Sequence, residues 1–276
     1  MRTTAYRYPG ERLTLAVTLL AVLLVIALTA AATVCGSLVF IVMFLIISAS
    51  SLASHHQALM RAALPVTRQS APGLSQVSEE ALMRLQPGNV QVYVLPSKEF
   101  NAYTFGLGGS KVVVLYSALL EHLDAEETQF VLGHEMGHVA LGHTRLNSLV
   151  GGMAGIPAAG WAGIALSVVF LWWNRSCEFS ADRAGLLACD RLDKAISALV
   201  KVGVGPGVVK DQAAFEQALQ LLDAQDDSPW AWLNESLATH PLVIRRINEL
   251  RRYAASAGYQ RLRQKLSNVA AQTGQN

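Results

Sequence analysis

Two histidines, His134 and His138, stand four positions apart in the run His-Glu-Met-Gly-His. Residues at this spacing lie one above the other on one face of an α-helix, so both imidazoles can reach the same metal ion. Glu135 points too far around the helix to bind that ion. It can instead take a proton from the attacking water and deliver it to a leaving amine. The pattern indicates metal-assisted hydrolysis with Glu135 as general base.

A catalytic zinc ion needs a third protein ligand, and Glu178 is the best candidate. It begins the run Glu-Phe-Ser-Ala-Asp, in which Asp182 lies one helical turn later on the same face. Asp182 can accept the spare N–H of a ligating histidine and fix its tautomer. Taken alone, the two carboxylates could also form a solvated acidic face. His143 is an alternative ligand, but its ring would point away from a metal held by His134 and His138.

The helix that carries the two histidines should begin at Asp124, whose side chain can accept backbone N–H bonds in the first turn. It should run to about His143. Three strands are predicted before it, and four helices after it: Val90–Leu95, Phe100–Phe105, Lys111–Tyr116, then Arg175–Cys189, Asp193–Val202, Asp211–Ala224 and Leu242–Tyr253. The predicted fold class is mainly α with a small β-sheet, an α+β fold.

An uncharged run of 35 residues extends from Leu13 to Ile47. One helix of that length would measure about 52 Å, against a hydrocarbon core of about 30 Å. Two short transmembrane helices, at about 13–30 and 34–52, fit better and form an N-terminal anchor over residues 1–60. One tilted span and a cleaved signal peptide are the alternatives.

Arginines such as Arg12 and Arg61 flank the apolar run on both sides, and the proposed turn carries none. The positive-inside tendency then places both ends of the hairpin in the cytoplasm. We predict a multi-pass protein of the inner (plasma) membrane with a cytoplasmic catalytic domain, although a single span would reverse this orientation. Residues 61–77, rich in Pro, Ser, Gly and Gln, are interpreted as a linker, and residues 78–276 as the catalytic domain.

A second uncharged segment, residues 149–173, separates His138 from Glu178. One complete span here would place these two ligands on opposite sides of the membrane. We therefore predict a shallow hairpin or re-entrant insertion bent near 155–160, with its tryptophans at interfacial depth. The alternative is a buried helical pair packed on the domain.

Overall charge and cysteine content argue against nucleic-acid-binding and cysteine-based classes of protein. A formal net charge of +2 and the lack of basic residues interleaved with aromatic ones argue against nucleic acid as a partner. The three cysteines are odd in number and widely spaced, so they suggest neither a disulfide framework nor a cysteine metal site.

The two metal motifs, followed by Thr239-His240-Pro241 and an arginine-bearing helix, resemble the HtpX-like membrane peptidases, relatives of the zinc-dependent CAAX prenyl proteases. The likeness covers more than half of the chain. It implies a zincin-like metallopeptidase domain of the gluzincin type, one Zn²⁺ per chain, membrane or unfolded polypeptides as substrates and the lipid bilayer as a partner. It leaves the oligomeric state open.

The resemblance also implies two further roles. The strand before the active helix, with Lys111, Val112, Val113 and Val114, would bind extended substrate by edge pairing, unless it is a plain core strand. His240 would stabilise the oxyanion of the tetrahedral intermediate, unless it caps a helix or packs.

The implied activity is a zinc endopeptidase acting in quality control of membrane or misfolded proteins. CAAX-type processing is the alternative enzyme activity. A non-catalytic zinc-binding membrane adaptor would be expected to lack the base or the third ligand, whereas Glu135 and Glu178 are both present. Two histidines and one carboxylate could also hold other divalent ions.

Overall fold

The computed structural model describes residues 5–32, 36–106, 111–144, 161–205, 207, 209, 211–226 and 243–273. The helices are α1 (Glu11–Ala32), α2 (Gly36–Ala62), α3 (Pro72–Leu85), α4 (Ser117–His122), α5 (Ala125–Leu141), α6 (Trp161–Cys189), α7 (Leu192–Val204), α8 (Gln212–Asp226), α9 (Val243–Ala255) and α10 (Ala257–Thr273). The strands are β1 (Leu64–Pro65), β2 (Val90–Leu95), β3 (Ala102–Phe105) and β4 (Lys111–Tyr116). The predicted class, mainly α with a small β-sheet, is confirmed.

The four strands form one mixed sheet in the order β1-β2-β4-β3. β2 and β4 are parallel, and the two outer strands pair antiparallel to their neighbours. Val92, Val113 and Leu115 belong to the main core, which also includes residues of α3, α5 and α6. Val114 and Tyr116 belong to a smaller cluster that includes Leu59 and Met60 near the end of α2. The sheet therefore separates the main core from the end of α2.

α5 begins and ends at sites fixed by its own sequence. Asp124 accepts a hydrogen bond from the Glu127 backbone N–H, and its own N–H donates to the Glu127 carboxylate, both at 2.9 Å. This capping box confirms the predicted start. The helix ends at Leu141 rather than His143 because Gly142 adopts the left-handed conformation, with φ of 81°.

α5 and α6 approach each other closely along a row of small residues. A Cβ atom added at Gly133 would lie 2.3 Å from the Cβ of Ala188, and one added at Gly137 would lie 2.6 Å from the Cβ of Ala184. Only glycine permits this distance between the helices. The approach brings Glu178 on α6 next to the histidines of α5.

The predicted linker over residues 61–77 is structured. Leu64 and Pro65 form β1, paired with β2, and α3 begins at Pro72. Composition could not distinguish a linker from an edge strand, because proline is tolerated at a sheet edge, where its missing N–H costs no ladder bond.

The residues before α1 pack on the rest of the domain, although they fall within the predicted anchor over 1–60. Tyr6 is fully buried, and the backbone N–H of Tyr8 donates to Ser180 Oγ on α6 at 2.8 Å. The N-terminal segment and the rest of the domain therefore share a packed interface.

Two helices, α1 and α2, occupy the region predicted to form the anchor, and residues 33–35 between them lie outside the described part. In the described part of the chain, one helix segment, Glu11–Ala31, is long and apolar enough to cross a membrane. Its outward side exposes leucines such as Leu20, Leu23 and Leu24. The number of spans and their orientation stay predictions.

The predicted membrane-associated segment 149–173 is only partly described, since residues 145–160 fall outside the described ranges. Residues 161–173 continue without a break into the rest of α6. Trp172 is 54% exposed, whereas Trp173 is buried with its ring 6.4 Å from that of His143. Trp173 is therefore enclosed by protein, and its depth relative to the lipid headgroups stays a prediction.

Substituting Gly137→Ala should destabilise the fold, because the new Cβ would meet Ala184 and the backbone of Ala181 across the helix pair. We expect a loss of about 1–3 kcal/mol in the free energy of unfolding, typical of overpacking. Denaturant unfolding of the metal-free protein measures it. Gly73→Ala in α3, where a Cβ meets nothing within 4 Å, is the matched control and should be neutral or slightly stabilising. Equal stability of Gly137→Ala and wild type would refute the close approach.

Candidate metal centre

The three predicted ligands converge on one point. The Nε2 atoms of His134 and His138 are 3.2 Å apart. Oε2 of Glu178 lies 3.7 Å from the first of these atoms and Oε1 lies 3.6 Å from the second, and one donor atom from each residue can be chosen so that all three lie within 4.8 Å of one another. Tetrahedral zinc with bonds of about 2.0–2.1 Å places its donor atoms about 3.3 Å apart. The triangle therefore has the size and the chemistry of a zinc site.

Asp182 lies behind the first histidine. Its Oδ1 atom is 3.0 Å from His134 Nδ1, so the ring can donate there while Nε2 faces the metal position. Burial alone would raise the pKa of Asp182, but the Arg246 guanidinium overcomes this effect and lowers it. The carboxylate is thus held ionised as a hydrogen-bond acceptor.

Arg246 on α9 is a site residue that sequence reasoning missed. It donates to both oxygens of Asp182, from Nε at 2.8 Å and from Nη2 at 2.6 Å. Its Nη1 lies 3.2 Å from the Glu178 carboxylate. One signal was available in the sequence: Arg246 falls on the apolar face of α9 with Val243, Leu250 and Tyr253, where a charge needs a buried partner.

Thr104 on β3 also escaped sequence reasoning. Its hydroxyl donates to Oε2 of Glu135. Burial raises the pKa of Glu135, although the nearby His134 and the Thr104 hydrogen bond both favour the charged form and limit the rise. A carboxylate with a raised pKa is a stronger proton acceptor, which suits a general base.

The two histidines differ electrostatically. Burial, reinforced by the neighbouring His134, lowers the pKa of His138 well below its usual value, so this ring is neutral near pH 7. Burial would also lower the pKa of His134, but the hydrogen bond to Asp182 and the charge of Glu178 raise it. A proton on His134 is therefore stabilised by Asp182 and by Glu178, the carboxylate that a metal ion would bind.

His143 lies outside the ligand triangle. Its Nδ1 is 3.0 Å from Nδ1 of His138, on the side of that ring opposite the metal position. Its Nε2 is 3.1 Å from Oε1 of Glu11, the first residue of α1. The geometry places His143 behind a ligand, and no sequence signal connected it with Glu11, 132 positions away.

Two other predicted site assignments have different outcomes. The strand with Lys111, Val112, Val113 and Val114 is hydrogen-bonded to β2 on one side and to β3 on the other. Its prediction as the substrate-pairing edge is wrong, since parallel pairing with β2 places it inside the sheet. β3 is the outer strand on the Glu135 side. His240 lies outside the described residues.

Two histidines and a carboxylate at zinc spacing, with a glutamate beside the first histidine, define the class of protein as a metallopeptidase. The model of the family described as Peptidase family M48 matches residues 67–254, well over half of the chain. The chain therefore belongs to peptidase family M48, and the predicted likeness to HtpX-like peptidases is confirmed.

Three curated relatives illustrate the range of this likeness. The chain is 33% identical over 184 residues to the plastoglobule-localized metallopeptidase 48 of Arabidopsis thaliana, covering 62% of this chain and 54% of that protein. It is 30% identical over 224 residues to a protease HtpX homolog of Paenarthrobacter aurescens, covering 70% and 76%. A CAAX prenyl protease 1 homolog of Dictyostelium discoideum is 52% identical over 44 residues, covering 16% and 10%. The chain thus spans about half of the first relative and about three quarters of the second.

Substituting Arg246→Met should strongly destabilise the metal-free protein, because two buried carboxylates lose their shared cation. Removing one partner of a buried ion pair costs about 3–5 kcal/mol. The exposed Arg252→Met, which breaks a surface pair with Glu249, is the matched control and should cost far less.

The pH dependence separates charge from packing in this experiment. Arg246 lowers the pKa of Asp182, so its contribution is complete above the unfolded pKa of the carboxyl and is lost as pH falls through the folded pKa. The difference in unfolding free energy between wild type and Arg246→Met should therefore shrink on acidification. A difference that stays constant down to pH 3 would show that the loss comes from packing.

Proposed function

We propose that this chain is a membrane-anchored zinc endopeptidase that hydrolyses peptide bonds in membrane or unfolded proteins. The observation that carries the proposal is the triangle of donor atoms from His134, His138 and Glu178, with Glu135 beside it. Membership of family M48 and the likeness to proteases described as HtpX homologs support it. The helix segment Glu11–Ala31 supports the membrane anchor.

Zinc held by these three side chains would supply the Lewis acidity that polarises a peptide carbonyl and lowers the pKa of a water molecule. Glu135 takes the proton from the attacking water and passes it to the nitrogen of the departing amine. Thr104 holds Oε2 of Glu135, so Oε1 is the oxygen assigned to the proton. Asp182 and Arg246 keep the His134 ring in place during this cycle.

Extended substrate pairs with β3 in this proposal. β3 is the outer strand of the sheet, and Thr104 within it contacts the general base. Main-chain pairing along Ala102–Phe105 would lay a peptide beside Glu135 with its side chains alternating between the two faces. His240 is retained as the proposed oxyanion-stabilising residue.

The proposed location is the inner membrane, with two spans and a cytoplasmic catalytic domain, and the proposed role is quality control. CAAX-type processing is the alternative, supported by the 44-residue likeness to a CAAX prenyl protease 1 homolog. The longer match to HtpX homologs favours general proteolysis. Cleavage of an unfolded model protein, as against a prenylated peptide, distinguishes the two activities.

Substituting Glu135→Gln should abolish proteolysis while leaving zinc bound, because the amide cannot accept the proton of the attacking water. We expect kcat to fall about 10²- to 10⁴-fold. Detergent-purified wild type and variant, matched for zinc content, would be compared on an unfolded model protein. Equal cleavage by both would overturn the assigned mechanism, and cleavage by neither despite bound zinc would favour a narrow substrate or a non-catalytic role.

Substituting Thr104→Val should move the acidic limb of the pH profile to higher pH. The hydroxyl stabilises the ionised form of Glu135, so its removal raises the pKa of the base further, and more alkaline conditions are needed to deprotonate it. The measurement is kcat/KM as a function of pH. Thr67→Val, on the exposed surface, is the control and should leave the limb in place. A Thr104→Val profile that coincides with wild type would argue against this contact.

A further inference from the structure

The two histidine ligands are supported from behind in different ways. His134 donates to Asp182 directly, at 3.0 Å. His138 has another imidazole behind it, that of His143, with 3.0 Å between their Nδ1 atoms. His143 in turn lies 3.1 Å from the carboxylate of Glu11. A ligand, a second histidine and a carboxylate thus form one continuous hydrogen-bonded chain.

Only one arrangement of protons satisfies this chain when His138 binds a metal through Nε2. The neutral His138 ring then carries its proton on Nδ1 and donates it to Nδ1 of His143. His143 must accept at Nδ1 and therefore carries its own proton on Nε2, which it donates to Glu11. Each nitrogen has a defined role, and the direction of donation runs from the metal ligand to the carboxylate.

Glu11 is built into the domain. It is 1% exposed, as is His143. Arg7 and Ser180 both donate to its carboxylate, so the charge is compensated on the sides that His143 does not occupy. Arg183 on α6 lies over the ring of Tyr8 at 5.0 Å and donates to the Arg7 carbonyl at 3.3 Å. The first turn of α1 is therefore held firmly against α6.

Burying a carboxylate at the start of an apolar helix costs free energy unless other groups pair with its charge. An apolar helix that served only as an anchor would need no buried acid at this position. The carboxylate faces His143, the imidazole that lies behind His138 in the proposed zinc site. Carboxylates in this position behind a metal ligand orient its ring and raise its basicity.

We propose that Glu11 and His143 are positioning residues of the metal centre, orienting His138 for metal binding through a carboxylate–histidine–histidine chain. The first turn of the N-terminal helix thereby becomes part of the site. The proposal rests on the proposed function, since it assumes that His138 binds zinc through Nε2. Docking of the segment before α1 and retention of the metal are then coupled.

The test uses the full-length protein in detergent and measures zinc affinity by competition with a chromogenic chelator. We expect Glu11→Gln and His143→Phe each to weaken zinc binding by about 10- to 100-fold. In the double variant, zinc should bind no more weakly than in His143→Phe alone, because Glu11 acts through His143. Glu79→Gln, which removes a carboxylate from an exposed pair with Arg68, is the matched control and should bind zinc like wild type.

Two further measurements separate positioning from folding. Thermal unfolding of the metal-free variants reports stability, and the visible absorption of Co²⁺-loaded protein reports ligand geometry. Glu11→Asp keeps the charge but shortens the reach to His143, so a folded Glu11→Asp protein with weakened zinc binding and a shifted Co²⁺ spectrum would support the proposal even where Glu11→Gln fails to fold.

Unchanged zinc affinity in folded Glu11 and His143 variants would overturn the proposal and leave the zinc peptidase intact. Lower stability with unchanged affinity would do the same, since it assigns Glu11 to folding alone. If the losses of zinc affinity in the two single variants added up in the double variant, Glu11 would not act through His143. Failure of wild type itself to bind zinc would refute the proposed function as well, and this outcome is distinct from the others.

Discussion

The close approach of α5 and α6 is the constraint on which the site depends. His134 and His138 come from one helix, and Glu178 comes from the other, so the distance between the helix axes sets the size of the ligand triangle. Gly133 and Gly137 stand where any Cβ would collide with α6. The spacing of the histidines brings two proposed ligands together. The close contact between the small residues of α5 and α6 brings the third, Glu178, next to them. The chemistry of the site is thus a consequence of helix packing.

Charge compensation lowers the cost of burying two carboxylates at one site. Glu178 and Asp182 are both buried, and two buried carboxylates side by side would repel each other. Arg246 contacts both and neutralises one of the two charges through the bidentate pair with Asp182. Glu178 is the proposed ligand, and a divalent cation would compensate its charge further. The arginine thus lowers the cost of burying two carboxylates side by side.

Local patterns in the sequence predicted the three proposed ligands, but not the residues that reach the site through long-range pairing. Spacing predicted the His134 and His138 pair, and the need for a third ligand led to Glu178. Pairing in the sheet was not predictable, because periodicity identifies a strand but not its neighbours, and Lys111–Tyr116 was therefore assigned to an edge it does not occupy. The role of Glu11 was not predictable from the sequence, because its partner His143 lies 132 positions away.

The position of Glu11 also relates the site to the membrane. α1 contains 22 residues and is about 33 Å long, close to the hydrocarbon thickness of about 30 Å. A helix with so little excess length must use nearly all of its turns to cross, which leaves its first turn at the bilayer boundary. Glu11 in that turn touches His143, and His143 touches His138. If α1 crosses the bilayer, the proposed metal centre therefore lies at the membrane surface, within reach of the proposed membrane substrates.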